Sequence, residues 1–152
     1  MRRISLVLAF VVLAGPAMAA HFVSLKSDKV FLREGPTYQH PILFTYQRKG
    51  YPLEVLAAYE SWRRVRDVDG TTGWVSQTMV SDVRTILVTG KQRAALRQAA
   101  SDGASVRAWA QPGVVARLKA CQPRFCEITA GGVTGWIDKT RIWGVGAGEI
   151  IN

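Results

Sequence analysis

The residues able to do covalent chemistry are few. There are two cysteines, Cys121 and Cys126, and two histidines, His21 and His40. A cysteine nucleophile needs a histidine base within hydrogen-bond reach, and no histidine follows Cys126. A serine triad needs a histidine paired with a carboxylate. His21, however, stands just beyond a leader-like segment, where chain ends are commonly mobile. His40 precedes Pro41 in an expected loop and is expected to be simply solvated. Paired carboxylates for glycan cleavage would have to come from scattered loop acids, Asp67, Asp69 and Glu60. The glycines lack the order of a phosphate-cradling loop. The composition therefore points away from an enzyme, and no cofactor or metal centre is expected.

A binding surface is easier to assemble. The first half of the chain offers Tyr38, Phe44, Tyr46, Tyr59 and Trp62, with Arg63 and Arg64 close by. The second half offers Trp109, Phe125 and Trp143, with Arg107, Arg117, Arg124 and Arg141. Arginine suits the bidentate capture of a carboxylate. The expected ligand-binding residues are Tyr38, Tyr46, Trp62, Arg64, Trp109, Arg107, Arg124 and Trp143. For each aromatic the competing role is core packing, since these side chains dominate core energetics. Trp109 stands out because Arg107-Ala-Trp109-Ala-Gln-Pro reads as a turn-rich loop, where a large aromatic is less expected. The competing role for Trp109 is a plug on one end of its domain.

The elements that must position these residues begin after a leader. The chain opens Met-Arg-Arg, continues through an apolar run from Ile4 to Gly15, and reaches Pro16-Ala17-Met18-Ala19-Ala20. A basic start, a short apolar stretch and an Ala-x-Ala site read as a secretory signal peptide over 1–19, cleaved after Ala19. The apolar run is about half of the ~20 residues a membrane-spanning helix needs. No membrane span is therefore expected after cleavage, and the mature protein is expected to be periplasmic or secreted. Loss of Arg2 and Arg3 takes the net charge from +9 to +7. Export argues against nucleic acid as the partner of this basic chain, and leaves either a soluble basic surface or attraction to anionic envelope material. The excess is uneven: residues 21–85 hold nine basic and seven acidic side chains, residues 86–152 nine and four. Disulfides persist outside the cytoplasm, and the four residues between Cys121 and Cys126 suit a bridge across a small hairpin. The rival is a metal site, but zinc usually takes four ligands and both histidines lie in the other half.

The chain repeats itself. Leu32-Arg33 falls on Leu96-Arg97, Gly50 on Gly113, Leu56 on Leu118, Val65 on Ile128, and Gly73-Trp74-Val75 on Gly135-Trp136-Ile137. Two single-residue deletions reconcile the halves, and each unit spans about 65 residues, near the lower limit for an independent core. The local pattern is strand. Trp62-Arg-Arg-Val65-Arg-Asp-Val68 places Trp62, Arg64, Arg66 and Val68 on one parity and Val65 on the other. Asp69-Gly70 and Gly131-Gly132 are hairpin signals. The run Lys91–Ala100 is rich in helix formers, yet its partner, Lys29–Pro36, reads as strand then turn. Repeats share a fold, so 91–100 is expected to be strand and loop. The linker from Ser81 to Gly90 is short and apolar, so it is expected to continue as strand and bring the units into contact rather than leave them as beads on a flexible string.

The joint order of these features resembles the bacterial SH3 domain family. Ala95-Leu-Arg97, Pro112-Gly113, Cys121 with Cys126, Thr134-Gly135-Trp136-Ile137 and Ile142-Trp143-Gly144-Val145 are similar in order and spacing to exported alphaproteobacterial SH3-like proteins. In the first half, Tyr59 and Arg63 stand near the positions of the two cysteines. The resemblance implies an all-β fold of two tandem small SH3-like β-barrels, over 21–85 and 86–152. It implies that Gly73 and Gly135 allow close backbone approach and that Trp74 and Trp136 pack against the barrels as structural repeats. It further implies a non-enzymatic exported module docking a cell-wall peptide or an envelope protein. A small cell-wall hydrolase or its accessory subunit, and a purely structural interaction protein, are the alternatives.

Overall fold

The computed structural model describes residues 19–152; the expected leader falls largely outside them. The described residues form two seven-stranded antiparallel sheets, each coiled into a small barrel. The first holds β1 (His21–Leu25), β2 (Val30–Arg33), β3 (Ile42–Tyr46), β4 (Pro52–Tyr59), β5 (Trp62–Arg66), β6 (Thr72–Ser76) and β7 (Val80–Ser81). The second holds β8 (Thr85–Val88), β9 (Ala94–Arg97), β10 (Val106–Ala110), β11 (Val115–Cys121), β12 (Phe125–Ala130), β13 (Val133–Asp138) and β14 (Ile142–Trp143). The spatial order is β3-β2-β6-β5-β4-β1-β7 in one and β10-β9-β13-β12-β11-β8-β14 in the other, the same topology twice. A single 3-10 turn precedes the last strand of each, capped by Ser76 in the first and Asp138 in the second.

Side chains alternate across each strand, and the inward set makes two cores. Val23, Leu25, Val30, Leu32, Leu53, Val65 and Val75 fill the first. Ile86, Val88, Leu96, Leu118, Ile128 and Ile137 fill the second, together with Cys121 and Cys126. Those cysteines are directly opposite on β11 and β12 and form a disulfide. The strand pairing corrects the alignment of the halves there. Val55 faces Val65 as Leu118 faces Ile128, so Val55, not the exposed Leu56, is the partner of Leu118. Ala58 facing Arg63 then stands where the disulfide is, displacing Tyr59 by one.

The repeated Gly-Trp-Val/Ile does its core work through the glycine and the β-branched residue. Val75 and Ile137 are fully buried. A Cβ on Gly73 would stand 2.6 Å from Leu32 Cγ and 2.8 Å from the Arg33 carbonyl oxygen, so β2 packs where a side chain would go. Trp74 and Trp136 sit on the opposite parity, half-buried on the outer face, rather than sealing the barrels. Trp74 lies across from Arg33 on one side and Arg64 on the other; Trp136 lies across from Arg97 and Glu127.

The barrels meet. Phe22 packs edge-on against Trp143 with ring centroids 5.3 Å apart. Thr85 Oγ1 donates to the Gly50 carbonyl at 2.6 Å, and Arg48 donates to the Gly113 carbonyl. The linker contributes β7 and β8 with only three residues between them, so the units abut as expected.

Candidate functional site

The outer face of β2, β6 and β5 holds a cleft. Val30 and Leu32 point inward, so Phe31 and Arg33 must point out. Across from them the same face carries Trp74, Ser76, Arg64 and Trp62. The loop from β2 to β3 folds over this face because Arg33 holds it there. Arg33 Nη1 donates to the Tyr38 carbonyl at 3.1 Å and the His40 carbonyl at 2.9 Å. His40 is not simply solvated: its Nδ1 shares a 2.7 Å hydrogen bond with Thr37 Oγ1, and its ring occupies the space a Gly35 Cβ would need. The loop is thereby pinned and presents Tyr38, 66% exposed, edge-on to Trp62 at 5.0 Å. Trp62 itself is only 6% exposed and forms the floor. The result is an apolar cleft of about 290 Å³ walled by Phe31, Tyr38, Trp62 and Met79. Lys29 and Arg33 line it as well, each cation within 6 Å of the Phe31 ring centre, close enough for cation–π attraction.

The second barrel has a cleft at the same place, about 340 Å³, with different chemistry. The strand pairing sets the correspondence: Arg97 faces Trp136 as Arg33 faces Trp74, and Phe125 faces Asp138 as Trp62 faces Ser76. Arg97 holds its own loop, donating to the Ala104 carbonyl at 2.9 Å. Here Ala95 replaces Phe31, Asp138 replaces Ser76 and Arg141 replaces Met79. Arg124 bridges Asp102 at 3.0 Å and Asp138 at 3.3 Å, which raises the guanidinium pKa further. Burial alone would raise the Asp138 carboxyl. The Thr140 N–H and hydroxyl, with Arg124, outweigh it and hold that carboxyl below its ordinary value. Arg93 lies over the Trp109 ring, 4.3 Å from its centroid.

The residues expected from sequence are distributed between the clefts, the core and the seam. Tyr38 and Trp62 come together in the first cleft, and Trp109 lines the second, with Arg124 beside it. Trp109 is on strand β10 rather than in a loop, 49% exposed and neither core nor plug. Tyr46 is a correction: it is 5% exposed, stacks on Tyr51 at 5.6 Å and donates its hydroxyl to Asp67 Oδ2 at 3.0 Å. Trp143 is another, being committed to the seam against Phe22. Arg64 is exposed on the outer face opposite Trp74, outside the cleft lining. Arg107 donates to the Thr134 carbonyl at 2.8 Å. Phe31, Arg33 and Arg93 were overlooked, although the alternation of Val30-Phe31-Leu32-Arg33 signals an aromatic and a cation on one outward face. Among the described residues no group of three or more His, Cys, Asp or Glu side chains is placed to hold a metal ion.

The family model for the bacterial SH3 domain matches the chain twice, over residues 26–82 and 90–144. The chain belongs to the bacterial SH3 domain family. Its two SH3 units account for the duplicated topology and the paired clefts. Curated proteins give no match. Among solved structures, NlpC1 from Trichomonas vaginalis is similar at 12% identity and a TM-score of 0.39, covering 85% of this chain and 47% of its own. NlpC2 from the same organism is similar at 14% identity and a TM-score of 0.39, covering 84% and 49%. The tandem SH3 chain thus spans about half the length of these structures. No helix among the described residues is long and apolar enough to cross a membrane.

Proposed function

We propose that this tandem SH3 protein is a non-enzymatic binding module of the cell envelope, which docks an extended peptide of peptidoglycan or of an envelope protein. The leader over 1–19 exports it to the periplasm or beyond, and the units at 21–85 and 86–152 act outside the cytoplasm, where the Cys121–Cys126 disulfide persists. One observation carries the reading. The first cleft is pinned open by Arg33 holding the loop carbonyls, and it combines three aromatic walls with two cations. Preorganised aromatic surface binds without the ordering cost that a mobile loop would add. The cations favour an anionic peptide.

The test is retention of the mature protein on purified peptidoglycan and on an envelope protein fraction at moderate salt. Retention is expected, and Tyr38→Ala is expected to weaken it about tenfold or more, as for an exposed aromatic anchor. Absence of retention on every fraction would defeat this reading and leave the structural one, which the packed seam between Phe22 and Trp143 supports.

A further inference from the structure

The charges of the second cleft are nearly all engaged within the protein. Arg97 is held by the Ala104 carbonyl, and Arg141 by the Gln92 and Thr89 carbonyls. Arg124 is shared between the carboxylates of Asp102 and Asp138. Arg93 differs. Among the described residues its guanidinium has neither a carboxylate nor a hydrogen-bond acceptor; its partner is the face of Trp109. A guanidinium resting on an indole is oriented by the ring yet keeps its in-plane N–H donors free. Arg97 and Arg141 stay cationic but each already gives an N–H to a carbonyl, so among the described residues lining the cleft Arg93 is the arginine with its whole fork unbonded and preoriented.

The first unit lacks this device. Phe31 faces Thr45 as Ala95 faces Trp109, so Lys29 and Thr45 stand where Arg93 and Trp109 do. Lys29 meets the Phe31 ring instead, but a lysine is a point charge without a fork, and Arg33, which also lies near aromatic rings, already gives its Nη1 to the loop carbonyls. Trp109 also belongs to β10, an edge strand of its sheet. An edge leaves backbone N–H and C=O groups free to pair with an added extended chain.

We infer that the second SH3 unit captures the free terminal carboxylate of an extended peptide, bound bidentately by Arg93 on its Trp109 platform, with the peptide running along the β10 edge. This deepens the docking reading above by assigning the two clefts different parts of the ligand. The aromatic cleft takes side chains, and the charged cleft takes the chain end. Phosphate can also meet the guanidinium fork, but only a peptide can add backbone pairing along the β10 edge, so the peptide acid is the tighter ligand.

The experiment follows the Trp109 indole N–H by NMR in the full chain. The probes are acetyl-alanyl-alanine as the free acid, the same peptide as its terminal amide, and inorganic phosphate. The free acid is expected to shift the signal saturably, the amide not at all, and phosphate at least tenfold more weakly. Arg93→Gln is expected to lower affinity for the acid by roughly 10- to 100-fold, the span of a lost charge-assisted pair. Arg93→Lys keeps the charge and is expected to recover less than a tenth of the affinity, with an unchanged circular dichroism spectrum for both variants. Equal binding of acid and amide, equal binding of phosphate, or full binding by either variant would overturn the inference. Because peptidoglycan retention depends on Tyr38, failure of retention with an intact titration sinks the docking reading alone. Failure of the titration with intact retention sinks this inference alone.

Discussion

Tyr46 shows how a residue that looks like a ligand contact can be fully occupied with the fold. Its hydroxyl donates to Asp67 Oδ2, while Asp67 Oδ1 accepts from the Asp69 and Thr71 amides and so shapes the turn between β5 and β6. Burial first, then the Asp67 charge, pushes the Tyr46 pKa far above that of an ordinary phenol, and burial pushes Tyr51 up to about 12. A native pKa raised in this way means the folded state holds the proton more tightly than the unfolded chain does. The contribution is whole below the ordinary value of 10.0 and is lost as pH rises above it. Urea unfolding followed by tryptophan fluorescence is therefore expected to show stability falling from about pH 10 upward to about pH 12. Tyr46→Phe is expected to cost about 1–3 kcal/mol at pH 7 by leaving the buried carboxylate short of a donor, and to flatten the alkaline decline. A decline of equal slope in the variant would refute this role. The sequence showed Tyr46 as an aromatic near arginines but not its partner, because Asp67 is 21 residues away. For the same reason the Trp of Gly-Trp-Val read as core. Only the cross-strand partners reveal that the glycine faces inward and the indole faces the arginines.

The strand within Lys91–Ala100 was legible through its repeat partner Lys29–Pro36 and not through local propensity. Lys91–Ala100 is rich in helix formers, yet Ala94 and Leu96 are buried while Ala95 and Arg97 face out, as β9 requires between β10 and β13. Turn detail was less legible. Gly131 and Gly132 form the two-residue turn their positive φ values permit. Asp69-Gly70 sits instead inside a five-residue loop, because Asp67 caps it. The C-terminal segment could not be placed from sequence at all. It is tied down by Arg84, whose guanidinium meets Glu149 at 2.7 Å and 3.0 Å, and Ile151 pairs with the backbone of Cys121. Burial alone would raise the Glu149 carboxyl, but the Arg84 guanidinium and the Gly146 N–H outweigh it and lower the pKa. A depressed native pKa stabilises fully above the ordinary value of 4.5 and loses that contribution as pH falls below it. Hydrogen-exchange protection of the Ile151 amide is expected at pH 6 and lost toward pH 3, while the amides of β12 stay protected. Joint loss in both places would mean that the tail has no separate acid-sensitive attachment.

Packing across the seam is expected to hold the two barrels as one body. Phe22 on Trp143, Thr85 on the Gly50 carbonyl and Arg48 on the Gly113 carbonyl all cross it, and Ser24 Oγ donates to the Val83 carbonyl in the linker at 2.6 Å. Small-angle scattering of the mature protein is expected to fit a single interdomain separation, with Trp143→Ala broadening it; a broad distribution in the unmodified chain would contradict the seam. The repeat made two units legible in the sequence, and the apolar linker made contact between them legible. The different chemistry of the clefts was not, since it depends on which strand faces meet. Duplication with divergence leaves one cleft aromatic and the other charged, and the docking reading rests on the first. The most direct measurement is NMR shift mapping on the full chain with soluble muropeptides and proline-free envelope peptides. The account predicts saturable shifts at the Trp62 indole N–H and the backbone amides of Phe31, Tyr38 and Ser76. Shifts confined to β4 and β1, or none with any ligand, would contradict it.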